Sequence, residues 1–522
     1  MNFFILFVFG YQFAPRYRDL HKRMTSLVGF HHPSHYADLI KPARKTLDAL
    51  IVKEWPNIQR ILASLAQKDV TQATIVRKLS SYARQNQTKK ALWELDHIRP
   101  LIYAIKPVRQ FRPKRTHHMG TVNRLEPIPH PPSHLFVGNL FDLDASHPIE
   151  SLMELARKYG PIYELELPGG GSRVIVSGYK LVDELCDESR FDKMLGSGLN
   201  ALAEGPVGRG LFTSETSDPN WRKAHNILLP AFSMDAMRAY YPRMLDIAVQ
   251  LMQKWERLNP DDTLDVTADM TRLTLDTIAL CGFNYRFNSL YRDTPHPFVV
   301  AMLGNLEAAQ ARGRELPIQR KLHPRRTRRL KADQQLMFET VQHIIQDRRA
   351  SGTAGTVNDL LDRMLTGVDR QSGEKLDDTN IIAQCITFLV AGHETTSGLL
   401  SFALYALLKN PDVLARGYDE VDRVLGTDLS VLPTYAQVHQ VPYVTQILEE
   451  TLRLWPIAPA FIRRPYEDTV IGDKYRLGKD TGALVLVGML HRDKQVWGEN
   501  PEAFDPERFG PENRAKIPPE RL

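Results

Sequence analysis

The sequence predicts a mainly α-helical domain with small β-sheets, preceded by a small all-α basic segment. Three observations carry that expectation. A long apolar stretch without proline runs from about Asn380 to Lys409. An alternating strand pair around 163–176 precedes a series of helix-like stretches. The charge balance also changes near residue 118: 21 Lys+Arg stand against 7 Asp+Glu in 1–118, leaving 46 against 54 in 119–522. Two parts so different in charge are read as two units with different partners. With 43% hydrophobic and 25% charged residues, the composition is globular and excludes a disordered chain or a membrane bundle.

In the basic segment, 1–118, Leu47 to Leu65, Thr74 to Tyr82 and Lys89 to Ile98 carry apolar residues at helical spacing. Tyr11, Tyr17 and Tyr82 lie among arginines and lysines, which suits a nucleic-acid backbone or a plain solvated face. His31, His32 and His35 lack a carboxylate or cysteine to complete a metal set and are read as a loop cluster. The apolar run Phe3 to Phe9 is far shorter than the ~20 residues that span a bilayer. No basic residue precedes it and no small-residue cleavage site follows it. Cys186, Cys281 and Cys385 form no disulfide framework. A cytoplasmic protein without a transmembrane segment is expected.

The second unit, 119–522, begins after the basic linker Arg112 to His118, with the proline-rich Pro127 to Pro132 as its lead-in. Tyr163 to Leu167 alternates with period two, Pro168 to Gly171 turns, and Arg173 to Val176 returns, which is a hairpin. Helices are expected around 179–188, 221–229, 236–256, 265–281, 334–350 and 380–409. Arg312 to Lys331, with Arg320, Lys321, Arg325, Arg326, Arg328 and Arg329, is a charge run read as a solvated loop. Asp377, Asp378 and Thr379 offer N-caps for the long helix, and Asn410-Pro411 stops it.

Mid-helix, Ala391-Gly392-His393-Glu394-Thr395-Thr396-Ser397 places a glycine, two ionisable groups and three hydroxyls in an apolar element. His393-Glu394 opens like the zinc-protease helix, but Ser397 occupies the place of the second histidine. Glu394-Thr395 suits a proton relay beside a bound small molecule, with Gly392 and Ala391 leaving room for dioxygen. Further on, Glu450 and Arg453 share a helix face at spacing three, and Phe504-Asp505-Pro506-Glu507-Arg508-Phe509 supplies another arginine for a buried network.

In that order, Ala-Gly-His-Glu-Thr-Thr-Ser, Glu-x-x-Arg and Pro-Glu-Arg-Phe resemble the cytochrome P-450 superfamily of haem-thiolate monooxygenases. Cys186 to Lys193, Asn220 to Asn226 and Gly282 to Asn288 are similar to the haem domain of self-sufficient fatty-acid hydroxylases, over about 125–519. The resemblance implies a haem-dependent monooxygenase acting on fatty acids or similar long-chain apolar substrates. It would use O2 and electrons from an NADPH reductase domain that carries FAD and FMN. By position it makes Thr395 the oxygen-activating threonine and Glu394 its acidic neighbour, both catalytic. Trp221 and His225 would donate to the haem propionates. Phe212 would shape the substrate pocket, with Ala458, Pro459 and Ala460 as its opposite wall. Glu450, Arg453 and Arg508 would brace the core.

Two departures qualify this. Relatives hold the fatty-acid carboxylate with an arginine and a tyrosine at the channel mouth. The hairpin here, Pro168 to Val174, has a changed length and no tyrosine, so the resemblance leaves that anchoring open. The family also ligates iron through a cysteine after Pro-Glu-Arg-Phe, and this sequence stops at Leu522 before such a loop. It is read as a cytochrome P-450 fold incomplete at its C-terminus, with no metal ligand assigned. Phe9 to Leu20 and Arg77 to Asn86 resemble an internal piece of Tn-three-family transposases, over roughly 9–105 and without that family's acidic motifs. The alternative readings are an inactive chimeric fragment and a transposase remnant that binds DNA weakly through 1–118.

Overall fold

The computed structural model describes residues 125–134, 138–144, 146–167, 171–203, 208–259, 261–312, 324–428, 430–479 and 481–517. The expectations for 1–118, including His31, His32, His35 and the basic helical face, lie outside these residues.

Helix α1 (Pro148–Tyr159) leads into β1 (Ile162–Leu167) and β2 (Gly171–Val176), the antiparallel hairpin expected from the alternation, with Leu165 opposite Arg173. Then follow α2 (Tyr179–Leu185), β3 (Phe191–Lys193), α3 (Ser197–Ala203), α4 (Pro219–Leu228), α5 (Met234–Glu256) and α6 (Val266–Phe283). After these come α7 (Pro297–Arg312), α8 (Pro324–Ala350), α9 (Leu360–Thr366), α10 (Asp378–Lys409), α11 (Pro411–Leu425) and α12 (Pro442–Leu454). The chain closes with β4 (Ala460–Pro465), β5 (Thr469–Ile471), β6 (Tyr475–Leu477), β7 (Ala483–Leu486) and short helical turns, among them Pro506–Phe509.

The larger sheet has the order β1-β2-β7-β4-β3, with only β2 and β7 parallel, and β5-β6 form a separate pair. The late strands β4 and β7 thus sit between strands from the start of the domain. Helices dominate, as expected. Strands β5 to β7 are three or four residues long, too short for alternation to announce them, and β4, AFIRRP, does not alternate.

The charge run departs from expectation. From Pro324 onward it is the first third of α8, not loop. Proline is accommodated at a first helical position, and arginine is a good helix former. Arg326, Arg328 and Arg329 stay exposed, and Arg329 lies 3.8 Å from Asp333 one turn on.

The main core gathers buried residues of α4, α6, α7, α8, α9 and α10, among them Ile227, Leu275, Met302, Val341, Leu361 and Leu389. α10 runs through it. Asp377 caps its start by accepting from the Asn380 N–H (2.8 Å), and Asn410 closes its end. No described helix is long and apolar enough to cross a membrane.

Gly392 has a different task from the one expected. A Cβ there would lie 2.7 Å from Ile278 Cγ1 and 3.1 Å from Ile278 Cβ on α6. The missing side chain lets the two helices approach; it opens no room for a ligand. Beside it, Thr274 Oγ1 of α6 donates to the His393 carbonyl (2.9 Å), fixing the seam polar-to-polar. Gly392→Ala should therefore destabilise the protein by about 1–3 kcal/mol through overpacking, although alanine favours helix by about 1 kcal/mol. Denaturant midpoints check this, and Ile278→Ala introduced alongside Gly392→Ala should recover part of the loss. A more stable single variant would refute the close-approach reading.

Candidate functional site

α10 is buried along most of its length, yet Ala391, Glu394 and Thr395 in its middle are exposed. Half-buried Phe388 and Gly398 flank them at spacings of three and four, and Phe402, 39% exposed, continues the stripe. Those spacings share one helix face. This core helix is therefore open along one stripe. On that stripe the Thr395 hydroxyl donates back to the Ala391 carbonyl (2.8 Å). The Glu394 carboxyl has no donor or cation among the described residues, and burial pushes its pKa up.

Two walls rise from the stripe. The 208–214 turn is seated on the first half of α10, where the Leu211 N–H donates to Gln384 Oε1 (2.9 Å). At Gly210 a Cβ would lie 2.0 Å from Thr387 Oγ1. The next side chain but one, Phe212, is left 59% exposed. Phe232 stacks on Phe388 (5.7 Å) and is itself half exposed. From the other end, Trp455 stacks on Phe402 (5.7 Å), and Ile457 Cδ1 lies 3.1 Å from where a Gly398 Cβ would be. That contact brings exposed Ala458 and half-buried Pro459 and Ala460 alongside α10. The turn that carries Phe212 is thus anchored at Gln384 and Thr387, and the segment that carries Ala458 to Ala460 at Gly398, before and after Glu394 and Thr395 along α10.

Trp221 and His225 stack on each other on α4 (5.3 Å). The indole N–H is already engaged, donating to the Leu211 carbonyl (3.1 Å). Of the two expected donors only His225 is unspent: its Nδ1 is buried without a partner. Lys193 joins them, donating from Nζ to the same carbonyl (3.1 Å) and lying 5.2 Å from the Trp221 ring centre. Burial lowers its pKa against the pull of Glu215 and Asp192. In the sequence Lys193 stands out only as part of a string, and Phe232 carries no signal of its own. Phe388 is legible there, seven residues before Thr395 on one helix face.

Exposed aromatic and small apolar walls with donors at one edge fit a flat, largely apolar group bearing carboxylates, as haem is. The described thiols do not fit the role of its axial ligand. Cys281 is buried, its thiol pushed up to about 12, and it donates to the Tyr240 carbonyl (3.8 Å). Cys385 is buried against Met364 Sδ (3.7 Å), with its pKa raised by desolvation. Cys186 is exposed at the end of α2.

Behind the wall lies a closed charge network. Arg453 grips Glu450 through Nε–Oε2 (2.6 Å) and Nη2–Oε1 (2.8 Å), with both side chains almost fully buried. Its remaining donors reach the carbonyls of His491 (2.8 Å), Pro501 (2.7 Å) and Ala503 (3.1 Å). The Asp505 N–H donates to Glu450 Oε1 (2.8 Å). Arg508 Nε stands 3.5 Å from that oxygen, and its Nη1 and Nη2 bond Trp497 and Asn500 carbonyls (2.6 Å each). Glu450, Arg453 and Arg508 are therefore one unit that ties α12, and the wall leaving it, to the last helical turns.

Comparison with known proteins fits this geometry. Residues 128–522 match the family model described as Cytochrome P450. Residues 1–149 match the one described as Tn3 transposase DDE domain. The chain is 53% identical over 392 residues to a bifunctional cytochrome P450/NADPH–P450 reductase of Bacillus subtilis, covering 75% of this chain and 36% of the relative. It is 53% identical over 396 residues to one of Bacillus cereus, covering 76% and 36%. A self-sufficient cytochrome P450 monooxygenase of Exserohilum turcicum is 42% identical over 401 residues, covering 77% and 37%. The chain spans about a third of the length of these relatives.

Buried polar groups give two measurable expectations. Arg453→Met leaves Glu450 without its bidentate partner and should cost about 3–5 kcal/mol, read as a fall in the denaturant midpoint; a loss below about 1 kcal/mol would contradict the network. His393 is buried with neither ring nitrogen partnered, and desolvation lowers its pKa to about 4. The folded protein favours the neutral ring, so this stabilising term is present above the ordinary value near 6.5 and is lost as pH falls toward 4. Replacing His393 with leucine should flatten the dependence of the unfolding midpoint on pH between 6.5 and 4. An unchanged slope would place the titration elsewhere, with His491, also lowered to about 4, as the next group to replace.

Proposed function

Because the chain belongs to the cytochrome P450 family, we propose that residues 125–517 form the haem-dependent oxygenase part of a monooxygenase acting on long-chain apolar substrates. The observation that carries this is the open stripe on α10. Glu394 and Thr395 are its polar groups, and aromatic and small apolar side chains are its walls. Haem would supply dioxygen binding and reductive activation. Its flat body would be held by Phe232, Phe388, Ala391 and the Ile457 to Phe461 segment, and its carboxylates by His225, Lys193 and, after release from Leu211, Trp221.

This chain's own residues manage the protons. Thr395 Oγ1 exchanges its bond to the Ala391 carbonyl for one to a ligand on the stripe, so a donor is delivered without loose water. Glu394, whose carboxyl pKa burial raises, replenishes that hydroxyl side of the stripe from solvent. The apolar walls keep water low in number and orient an alkyl chain past Phe212 and Ala458 to Ala460. Electrons would come from an NADPH reductase with FAD and FMN, in keeping with the fused relatives.

Haem titration tests the reading. One equivalent should quench the fluorescence of Trp221, and Phe232→Asp should weaken that binding by about tenfold or more, since it puts a charge against an apolar face. No saturable quenching would remove the proposal. With reductase supplied, Thr395→Ala should lower product formed per NADPH consumed by about tenfold or more at an unchanged unfolding midpoint. Unaltered coupling would take Thr395 out of the proton path.

A further inference from the structure

Helix α4 turns two flanks to different neighbours. Trp221 and His225, four residues apart, stack on each other on one flank. Lys223, Asn226 and Ile227, spaced by three and four, lie on the opposite flank. All three meet one short segment, 367–374. Lys223 Nζ pairs with Glu374 (2.6 Å), and Asn226 Nδ2 donates to Asp369 Oδ1 (2.9 Å). Ile227 Cγ2 lies 2.6 Å from where a Gly367 Cβ would be, so the bare backbone there comes directly against the helix.

Asp369 is the centre of that segment. It is buried, and besides Asn226 its carboxylate accepts from the Gln371 N–H (3.3 Å), the Ser372 N–H (3.1 Å) and the Ser372 hydroxyl (2.8 Å). Its backbone closes the same turn, accepting from the Gly373 N–H (2.8 Å) and donating to the Glu374 carbonyl (2.9 Å), with Gly373 at a φ of +72°. Asn226 leads these donors in lowering the carboxyl pKa to about 2, so the acceptor stays ionised through the neutral and mildly acidic range. Just beyond the turn, Leu376 enters the main core and Asp377 caps α10. The segment that grips α4 is therefore continuous with the start of the helix that carries Glu394 and Thr395.

His225 Nδ1 has no hydrogen bond of its own, so where it points follows from how α4 is turned. The three contacts on the far flank differ in what they fix. The Glu374 side chain is 64% exposed, which makes its pair with Lys223 a weak tether. The approach of Ile227 to Gly367 is non-directional packing and sets a distance. The bond from Asn226 to the Asp369 carboxylate is charge-assisted and directional, and it sets a rotation.

We propose that Asp369 is a positioning residue for His225, acting through Asn226 to hold α4 at the rotation that aims the imidazole at a haem carboxylate. This rests on the haem reading above and adds the group that orients its carboxylate site.

Equilibrium binding of haem and of haem dimethyl ester to the full 522-residue chain, read by quenching of tryptophan fluorescence, tests it. The ester keeps the flat body and blocks the carboxylates, so the wild type should bind haem the tighter. Asp369→Ala should weaken haem by about tenfold and leave the ester unchanged. Asn226→Leu removes the same bond while leaving the turn its own bonds, and should give the same loss. Asp369→Asn, which keeps an acceptor oxygen for Asn226, should recover most of the affinity. In a His225→Ala background, Asp369→Ala should cost haem nothing further, because the donor it aims is gone. Equal weakening of haem and ester would make Asp369 a brace for the fold alone and overturn the proposal. Unaltered haem affinity in Asn226→Leu, or a full further loss in the His225→Ala background, would overturn it too. If the wild type binds haem and ester equally, the carboxylate site fails and the apolar site stands. If it binds neither, the haem reading fails and takes this proposal with it.

Discussion

The approach of α6 to α10 at Gly392 is the constraint on which the site depends. α10 has to be core on most of its circumference and wall on one stripe, so its rotation about its own axis must be fixed. Ile278 seated where a Gly392 side chain would be, and Thr274 bonded to the His393 carbonyl, set that rotation. With those contacts in place, Ala391, Glu394 and Thr395 cannot turn into the core. One residue step on a helix is a rotation of about 100°, enough to bury Thr395 and expose His393. The low helix propensity of glycine is outweighed by what a larger residue would do to the seam.

The second constraint acts at a distance from the stripe. The wall segment after Trp455 has little regular structure of its own before β4 begins, and it is positioned from both ends. Stacking of Trp455 on Phe402 fixes one end, and the β4–β7 ladder fixes the other. Arg453 lies two residues before Trp455 and holds three carbonyls from two later segments of chain, at His491 and at Pro501 and Ala503. The Glu450–Arg453 pair, buried and bonded at nearly every donor, converts a loop into a wall. In a dry interior that pair is only worth its desolvation because each polar atom is satisfied.

Much of this is legible in the sequence, and what is not has a physical cause. The long helix, its Asp377 cap and its Asn410 stop follow from local periodicity and capping chemistry, which act within a few residues. The hairpin at 162–176 follows from alternation. The order of three motifs places Thr395, Glu450, Arg453 and Arg508 in one family pattern from residue identities alone. Gly392 invites misreading because a sequence shows a missing side chain without showing which neighbour takes the space. The engagement of the Trp221 indole with Leu211, and the presence of Lys193 and Phe232 at the same site, are tertiary facts between segments far apart in sequence. The strands β4 and β7 are short and gain their identity from pairing with β3, with β2 and with each other, a partnership no local pattern encodes. Arginine-rich 324–331 reads as loop when charge is weighed above helix propensity.

Polar groups in this domain divide by whether the fold satisfies them. Asp269 accepts from Lys254, Trp255 and Arg272, Asp362 from Arg348 and two backbone N–H groups, and Glu450 from Arg453 and Asp505. These brace structure. Glu394 and His225 Nδ1 are desolvated or enclosed to different degrees, and neither has a partner of matching chemistry among the described residues. An unmet donor or charge costs stability in every folded molecule, whereas a ligand that meets it recovers that cost as affinity. His393 shows that the criterion needs a second condition: its ring is also unpartnered, but it is sealed within the core at 1% exposure and no ligand reaches it. Glu394 is exposed on the stripe, and His225 lies beside Lys193 at its edge. Unsatisfied and reachable are the two conditions a ligand-binding group has to meet, and the proposed function draws on Glu394 and His225 because both meet them.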